Sequence, residues 1–86
     1  MLRSMADNGS TSPVVARFSR VLTKEIEARG LSQRQAATEL GMSSRTLDRY
    51  VSGERSPGLE ELAAILRAWP RMRARLNYVL TGKGGT

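Results

Sequence analysis

The chain contains no cysteine and no histidine. Without cysteine there is neither a disulfide framework nor a thiolate metal site. Without histidine the commonest general base is missing, and with both absent the usual zinc ligands are gone. Ser/Lys or paired-carboxylate chemistry needs neither residue, but no spacing in the chain points to it, so no enzyme, metal or cofactor is expected. Aromatic residues are scarce: one Phe, one Trp and two Tyr in 86 residues. No apolar run approaches the ~20 residues of a membrane span. The opening MLRSMADNGSTS is too polar for a secretory signal. These absences lead to the expectation of a soluble cytoplasmic protein with no membrane association.

What the chain does have is positive charge. The formal net charge is +6 and the sequence pI is about 11.1, a balance that favours an anionic partner such as nucleic acid, acidic lipid or an acidic protein. Its length suits one domain with one modest core. The Leu, Ile, Val and Ala content is enough for a helical core, and no strand pattern stands out. The expected fold class is all-α, with about five short helices.

Residues 1–12 are polar and rich in Ser, Asn and Gly, and read as a flexible arm. Residues 13–82 form the expected domain, and residues 83–86 a frayed end. Ser12 as N-cap and Pro13 at the first helical position open helix one. Val14, Val15, Phe18, Val21, Leu22 and Ile26 recur at helical spacing, and Gly30 stops the helix. Ser32 and Gln35 make a capping-box pattern for helix two, whose inner face is Ala36, Ala37 and Leu40. Gly41 ends it where φ > 0 is expected. Met42 fills the turn, Ser43 caps helix three, and Leu47, Tyr50 and Val51 are its expected core residues. Ser52-Gly53 stops helix three, and ERSPG is a loop. A fourth helix is expected from about Leu59 to Trp69, with Leu59, Leu62, Ala63 and Leu66 inward and Glu60 and Glu61 suiting its dipole. Pro70 breaks or restarts the chain before a last helix carrying Met72, Leu76, Val79 and Leu80.

Two helices joined by a short glycine-containing turn form a helix-turn-helix. Ala36 and Ala37 are small enough for the crossing, and Leu40, Met42, Leu47 and Tyr50 hold the second helix at its angle. Ser44, Arg45, Asp48 and Arg49 must then project outward, on a face able to enter a DNA major groove.

On these residues the chain resembles the phage-repressor (Cro/C1, XRE-type) helix-turn-helix family. The resemblance runs through GLSQRQAATELGMS and TLDRYVSGERSPGLEELAAIL, and resumes at LNYVLTG. It implies a lambda-repressor-like domain that binds duplex DNA, usually as a homodimer on an inverted-repeat operator, with the recognition helix at about residues 44–52. Gln33 matches the family's glutamine at the start of helix two, where side chain and helix N-terminus meet a phosphate. Ser43 and Ser44 match the start of the recognition helix, Arg45 and Arg49 match positions that reach base edges, and Arg55 matches the loop that grips the backbone. Ser43 and Ser52 join Gln33 and Arg55 as expected phosphate contacts. WPRMRAR is longer and more basic than the family's usual turn between helices four and five. The family often dimerises there, and Trp69, Met72, Tyr78 and Val79 are the residues expected at a subunit interface.

The chemistry of the residues agrees. Arginine pairs bidentately with guanine O6 and N7, worth ~1–3 kcal/mol of discrimination. Asp48 either accepts from cytosine N4 or pairs with Arg45 at i,i+3 and orients it. Ser43 is a cap, a phosphate contact or both. Trp69 is a core-edge residue or a subunit contact. After Glu61 every charge is positive, at Arg67, Arg71, Arg73, Arg75 and Lys83. This is either a solvated face or a surface for flanking phosphates or an acidic partner. The expected function is transcriptional regulation of bacterial or phage type, by repression at an operator. The alternatives are an antitoxin that regulates its own operon, and a protein- or RNA-binding module working through its basic last helix.

Overall fold

A computed structural model describes residues 12–83, which form five α-helices and one 3-10 segment. The helices are α1 (Pro13–Ala28), α2 (Gln33–Leu40), α3 (Ser44–Ser52), α4 (Leu59–Ala68) and α5 (Leu76–Thr81), with the 3-10 segment Pro70–Arg75 running directly into α5. The fold class is all-α. The arm expected at residues 1–12 lies outside the described residues except for Ser12, as does most of the end expected to fray.

Local chemistry sets the helix starts. Ser12 accepts the N–H of Val15 at 3.1 Å, and Pro13 occupies the first turn, where its missing N–H costs nothing. Ser32 accepts from the Gln35 N–H at 3.1 Å while the Gln35 side chain accepts from the Ser32 N–H at 2.8 Å, so the capping box closes in both directions.

α1 is the central strut. It packs against α3, α5 and the 3-10 segment, while α2 packs against α3 and α4. The core gathers Phe18, Val21, Leu22 and Ile26 from α1, Ala36, Ala37 and Leu40 from α2, Leu47 and Tyr50 from α3, and Ile65, Trp69, Met72 and Val79 from the rest. Each fully buried Leu or Ile contributes roughly 1.5–3 kcal/mol relative to exposure. Phe18 and Tyr50 meet edge to face, centroids 6.5 Å apart.

Three inward positions expected from the sequence differ. Leu59 is 86% exposed, Leu80 is 59% exposed, and Val14 is at the surface. On α4 the buried arc is centred on Leu62, Ile65 and Trp69. At about 100° per residue, Leu59 and Ala63 fall on the flank of that arc, and only Ala63, deeper along the helix, is partly covered. α4 also ends at Ala68, because Trp69 leaves helical geometry at φ −127, ψ 78 ahead of Pro70.

The remaining surprise is an acid. Glu25 is buried in α1, where its Oε2 accepts from Arg29 at 2.8 Å and from Arg71 at 2.9 and 3.2 Å. Burial alone would raise this carboxyl. The hydrogen bonds from Arg71 and Arg29 and their positive charges outweigh it and hold the group below its ordinary value. Arg71 thereby ties the 3-10 segment to α1.

Candidate nucleic-acid interface

The junction between α2 and α3 is built by backbone hydrogen bonds. Gly41 takes the left-handed conformation, φ 73 and ψ 32, which an L side chain resists. Its N–H reaches Thr38 O at 3.2 Å, and the Met42 N–H reaches Ala37 O at 3.0 Å. This pair of bonds closes the last turn of α2 and satisfies carbonyls that the helix leaves open. Ser43 then caps α3, accepting from the Thr46 N–H at 3.1 Å and donating to Thr46 Oγ1 at 2.9 Å. Only Gly41, Met42 and Ser43 separate the two helices.

α3 is pinned from one side. Leu47 and Tyr50 are buried, with Val51 and Thr46 half-buried. The Ser19 hydroxyl of α1 donates to Val51 O, anchoring the end of the helix. Tyr50 is held as the neutral phenol: burial pushes its pKa up, the charge of Glu61 adds to this, and Arg55 partly offsets it. By the 3.6-residue period, the other side must present Ser44, Arg45, Asp48, Arg49 and Ser52, and all five are exposed. Neither Arg45 nor Arg49 makes a side-chain hydrogen bond or ion pair among the described residues. Their guanidinium groups stand in solvent with every N–H donor open.

Asp48 does not pair with Arg45. Its Oδ1 accepts from Gln33 Nε2 instead, linking the first residue of α2 to the middle of α3. That bond brings together two residues expected to do different jobs. Gln33 sits at the first position of α2, where the leading N–H groups have no acceptor inside the helix. Arg34 stands exposed on the same turn and belongs to no motif. A cation there opposes the helix dipole.

Past α3, Gly53 is left-handed at φ 81 and its N–H closes back on Tyr50 O. The N–H groups of Glu54 and Arg55 both reach Arg49 O, at 3.0 and 3.3 Å. The loop is thus folded against the end of α3, and the Arg55 side chain is exposed beside it. Ser52 spends its hydroxyl proton on Arg49 O at 3.2 Å, keeping only its lone pairs outward.

A family model described as helix-turn-helix (HTH_3) matches residues 22–68. The chain belongs to this Cro/C1-type, XRE helix-turn-helix family. No curated protein and no solved structure matches it. The match spans both helices of the junction, the loop after α3 and all of α4. In this family the domain is a DNA-binding regulatory module.

The residues expected at a subunit interface are largely elsewhere. Trp69, Met72 and Val79 are buried in the chain's own core, at 1%, 1% and 3% exposure, and have no surface to offer a second copy. Pro70 is the cause. It ends α4 and turns the chain under the domain, so Trp69 folds inward, its Nε1 donating to Glu39 at 3.0 Å and its ring covered by the Arg29 guanidinium at 4.6 Å. Tyr78 alone of the four is half-exposed, with its hydroxyl accepting from Arg20 at 3.3 Å. Among the described residues no helix is long and apolar enough to cross a membrane.

Proposed function

We propose that this helix-turn-helix protein is a sequence-specific operator-binding repressor of bacterial or phage type, working in the cytoplasm as a homodimer on an inverted repeat. Residues 13–82 form the DNA-binding unit. α3 enters the major groove with Ser44, Arg45 and Arg49 at base edges, and Gln33, Ser43, Ser52 and Arg55 hold the phosphate backbone. Repression follows from occlusion of a promoter. The observation that carries this reading is the outward face of α3, where two arginines without ion pairs flank Asp48 on a helix fixed by a buried Leu47 and Tyr50. Paired guanidinium forks on a rigid helix are the chemistry that recognises guanine O6 and N7.

Asp48 is the selective element of that face. A carboxylate repels phosphate and accepts from cytosine N4. Its bond to Gln33 keeps it from neutralising either arginine and turns the Gln33 amide toward α3. For the second subunit, Leu80 is the large apolar side chain that α5 leaves exposed, and the dimer packs around it, on the side of α5 away from Tyr78. A single small domain grips one half-site weakly, so two copies sit on half-sites about one helical turn apart, roughly 34–36 Å.

Selection from a randomised duplex pool with the purified full chain, at ~0.15 M salt to weaken purely electrostatic binding, tests the reading. Enrichment of an inverted repeat is expected, and its spacing reports the dimer geometry. Binding without enrichment that simply fades as salt rises would refute operator recognition.

A further inference from the structure

Three cations that DNA reading does not use, Arg20 and Lys24 of α1 and Arg75 of the Pro70–Arg75 segment, converge on one concave site. Arg20, Val21, Lys24, Ala74, Arg75 and Tyr78 line a cleft of about 380 Å³ between α1 and the chain after Pro70. Three of the six are cationic and none is acidic. Arg20 and Lys24 stand one turn apart on α1, an i,i+4 pair of like charges that disfavours the helix when nothing compensates it. Glu25, the acid nearest in sequence, is occupied by Arg29 and Arg71. Glu27 makes no ion pair with Lys24, and none of the three cations has an ion-pair partner among the described residues.

The cleft is organised as well as charged. Arg20 NH1 donates to the Tyr78 hydroxyl at 3.3 Å, which holds the guanidinium at the rim. The phenol accepts that bond, so its own O–H remains free to donate outward. Val21 and the Tyr78 ring form a partly apolar floor. This site is not continuous with the recognition face. Ser19 marks the side of α1 that touches α3, and Arg20 and Lys24 lie roughly 100° and 140° around the helix from it. An anion here is therefore a separate ligand, not the duplex that α3 reads.

We propose that this cleft binds a small multivalent phosphate-bearing anion, either the phosphate chain of a nucleotide or a phosphorylated metabolite. Two guanidinium forks, an ammonium and a phenol O–H supply donors in excess of what one carboxylate can accept, and arginine matches phosphate oxygens bidentately. The volume lies in the range of small-ligand sites. The assignment does not depend on operator recognition.

The test is calorimetric titration of the full chain with sodium pyrophosphate at fixed ionic strength, with amide chemical shifts followed in parallel. Saturable one-to-one binding is expected, with shifts clustered at residues 20–24 and 74–78. Arg75→Gln, whose side chain makes no hydrogen bond among the described residues, and Arg20→Gln should each raise Kd about tenfold, the loss of one charge-assisted contact. Arg49→Gln should bind as the unaltered protein does. Tighter binding of ATP than of pyrophosphate would support the nucleotide source, and tighter binding of a hexose bisphosphate the metabolite. Non-saturating heats, shifts centred on α3, or an equal loss in Arg49→Gln would overturn the proposal. So would binding of a poly-glutamate peptide at concentrations where pyrophosphate does not bind, which would make the cleft a protein-docking surface.

Discussion

Replacing Glu25 by Gln tests whether one buried acid ties the segment after Pro70 to α1. The Glu25 Oε2 receives three N–H groups, from Arg29 at 2.8 Å and from Arg71 at 2.9 and 3.2 Å. Hydrogen bonds to charged groups contribute about 1.5–3 kcal/mol each, but adding three such values overstates the loss. The Arg71 side chain is 66% exposed, so its guanidinium rehydrates when the partner goes, and that pair is worth a surface bridge, about 0.5–1 kcal/mol. Arg29 keeps its place over the Trp69 ring and loses only its charge partner. The Gln amide also escapes the desolvation penalty of a buried carboxylate. The balance is a loss of about 1–2 kcal/mol, and each kcal/mol lowers Tm by about 4–8 °C in a domain of this size.

The pH dependence makes this test specific. Burial raises the Glu25 carboxyl, but the Arg71 and Arg29 hydrogen bonds and charges win, and the folded-state value lies below the ordinary 4.5. A carboxyl lowered on folding stabilises fully above its unfolded value, and that contribution disappears as the pH falls through the folded value. Thermal unfolding followed by circular dichroism should therefore show the widest gap between the parent protein and Glu25→Gln at neutral pH, closing below about pH 4. An equal gap at about pH 3 and pH 7, or no gap at neutral pH, would refute the assigned role of the ion pairs.

Gly41→Ala should cost stability through the backbone alone. A Cβ there meets nothing within 4 Å, but φ is +73°, so the penalty is about 1–2 kcal/mol, offset by about 0.4–1 kcal/mol from the stiffer unfolded chain. Urea unfolding checks this, and a loss well above 2 kcal/mol would show that the turn is crowded rather than strained. Arg49→Gln should leave stability within about 0.5 kcal/mol, because its side chain is exposed and makes no hydrogen bond or ion pair among the described residues. It should weaken operator binding by about 1–3 kcal/mol per half-site. Fluorescence anisotropy on the selected operator measures this, and unchanged affinity would remove Arg49 from the base-reading set.

The candidate interface was legible in the sequence to the extent that it is local. Ser43, Ser44, Arg45, Asp48 and Arg49 fall within one helix whose buried side is marked by Leu47 and Tyr50, so the outward side follows from the period alone. Which partner Asp48 takes was not legible. Arg45 is three residues away, yet the bond goes to Gln33, because the crossing of α2 and α3 brings an amide from another helix within reach. Trp69 illustrates the same limit. A tryptophan beside a proline suits a core edge best but leaves room for a subunit contact, until Pro70 turns it under the domain and Glu39 takes its indole N–H.

The helix starts at Ser12, Ser32 and Ser43, the left-handed turn at Gly41 and the inner faces of α2 and α3 were determined by the sequence itself. Each depends on groups no more than about four residues apart along the chain, where backbone geometry dictates who meets whom. Only the tertiary structure decided that Leu59 and Leu80 stay outside, that Ile65 lies at the centre of the α4 arc, and that Glu25 is buried between two arginines. It alone gathered Arg20, Lys24 and Arg75 into one cleft. Helical periodicity fixes which residues share a face, but whether that face is covered, and by which charges, depends on helices packed against it from distant parts of the chain.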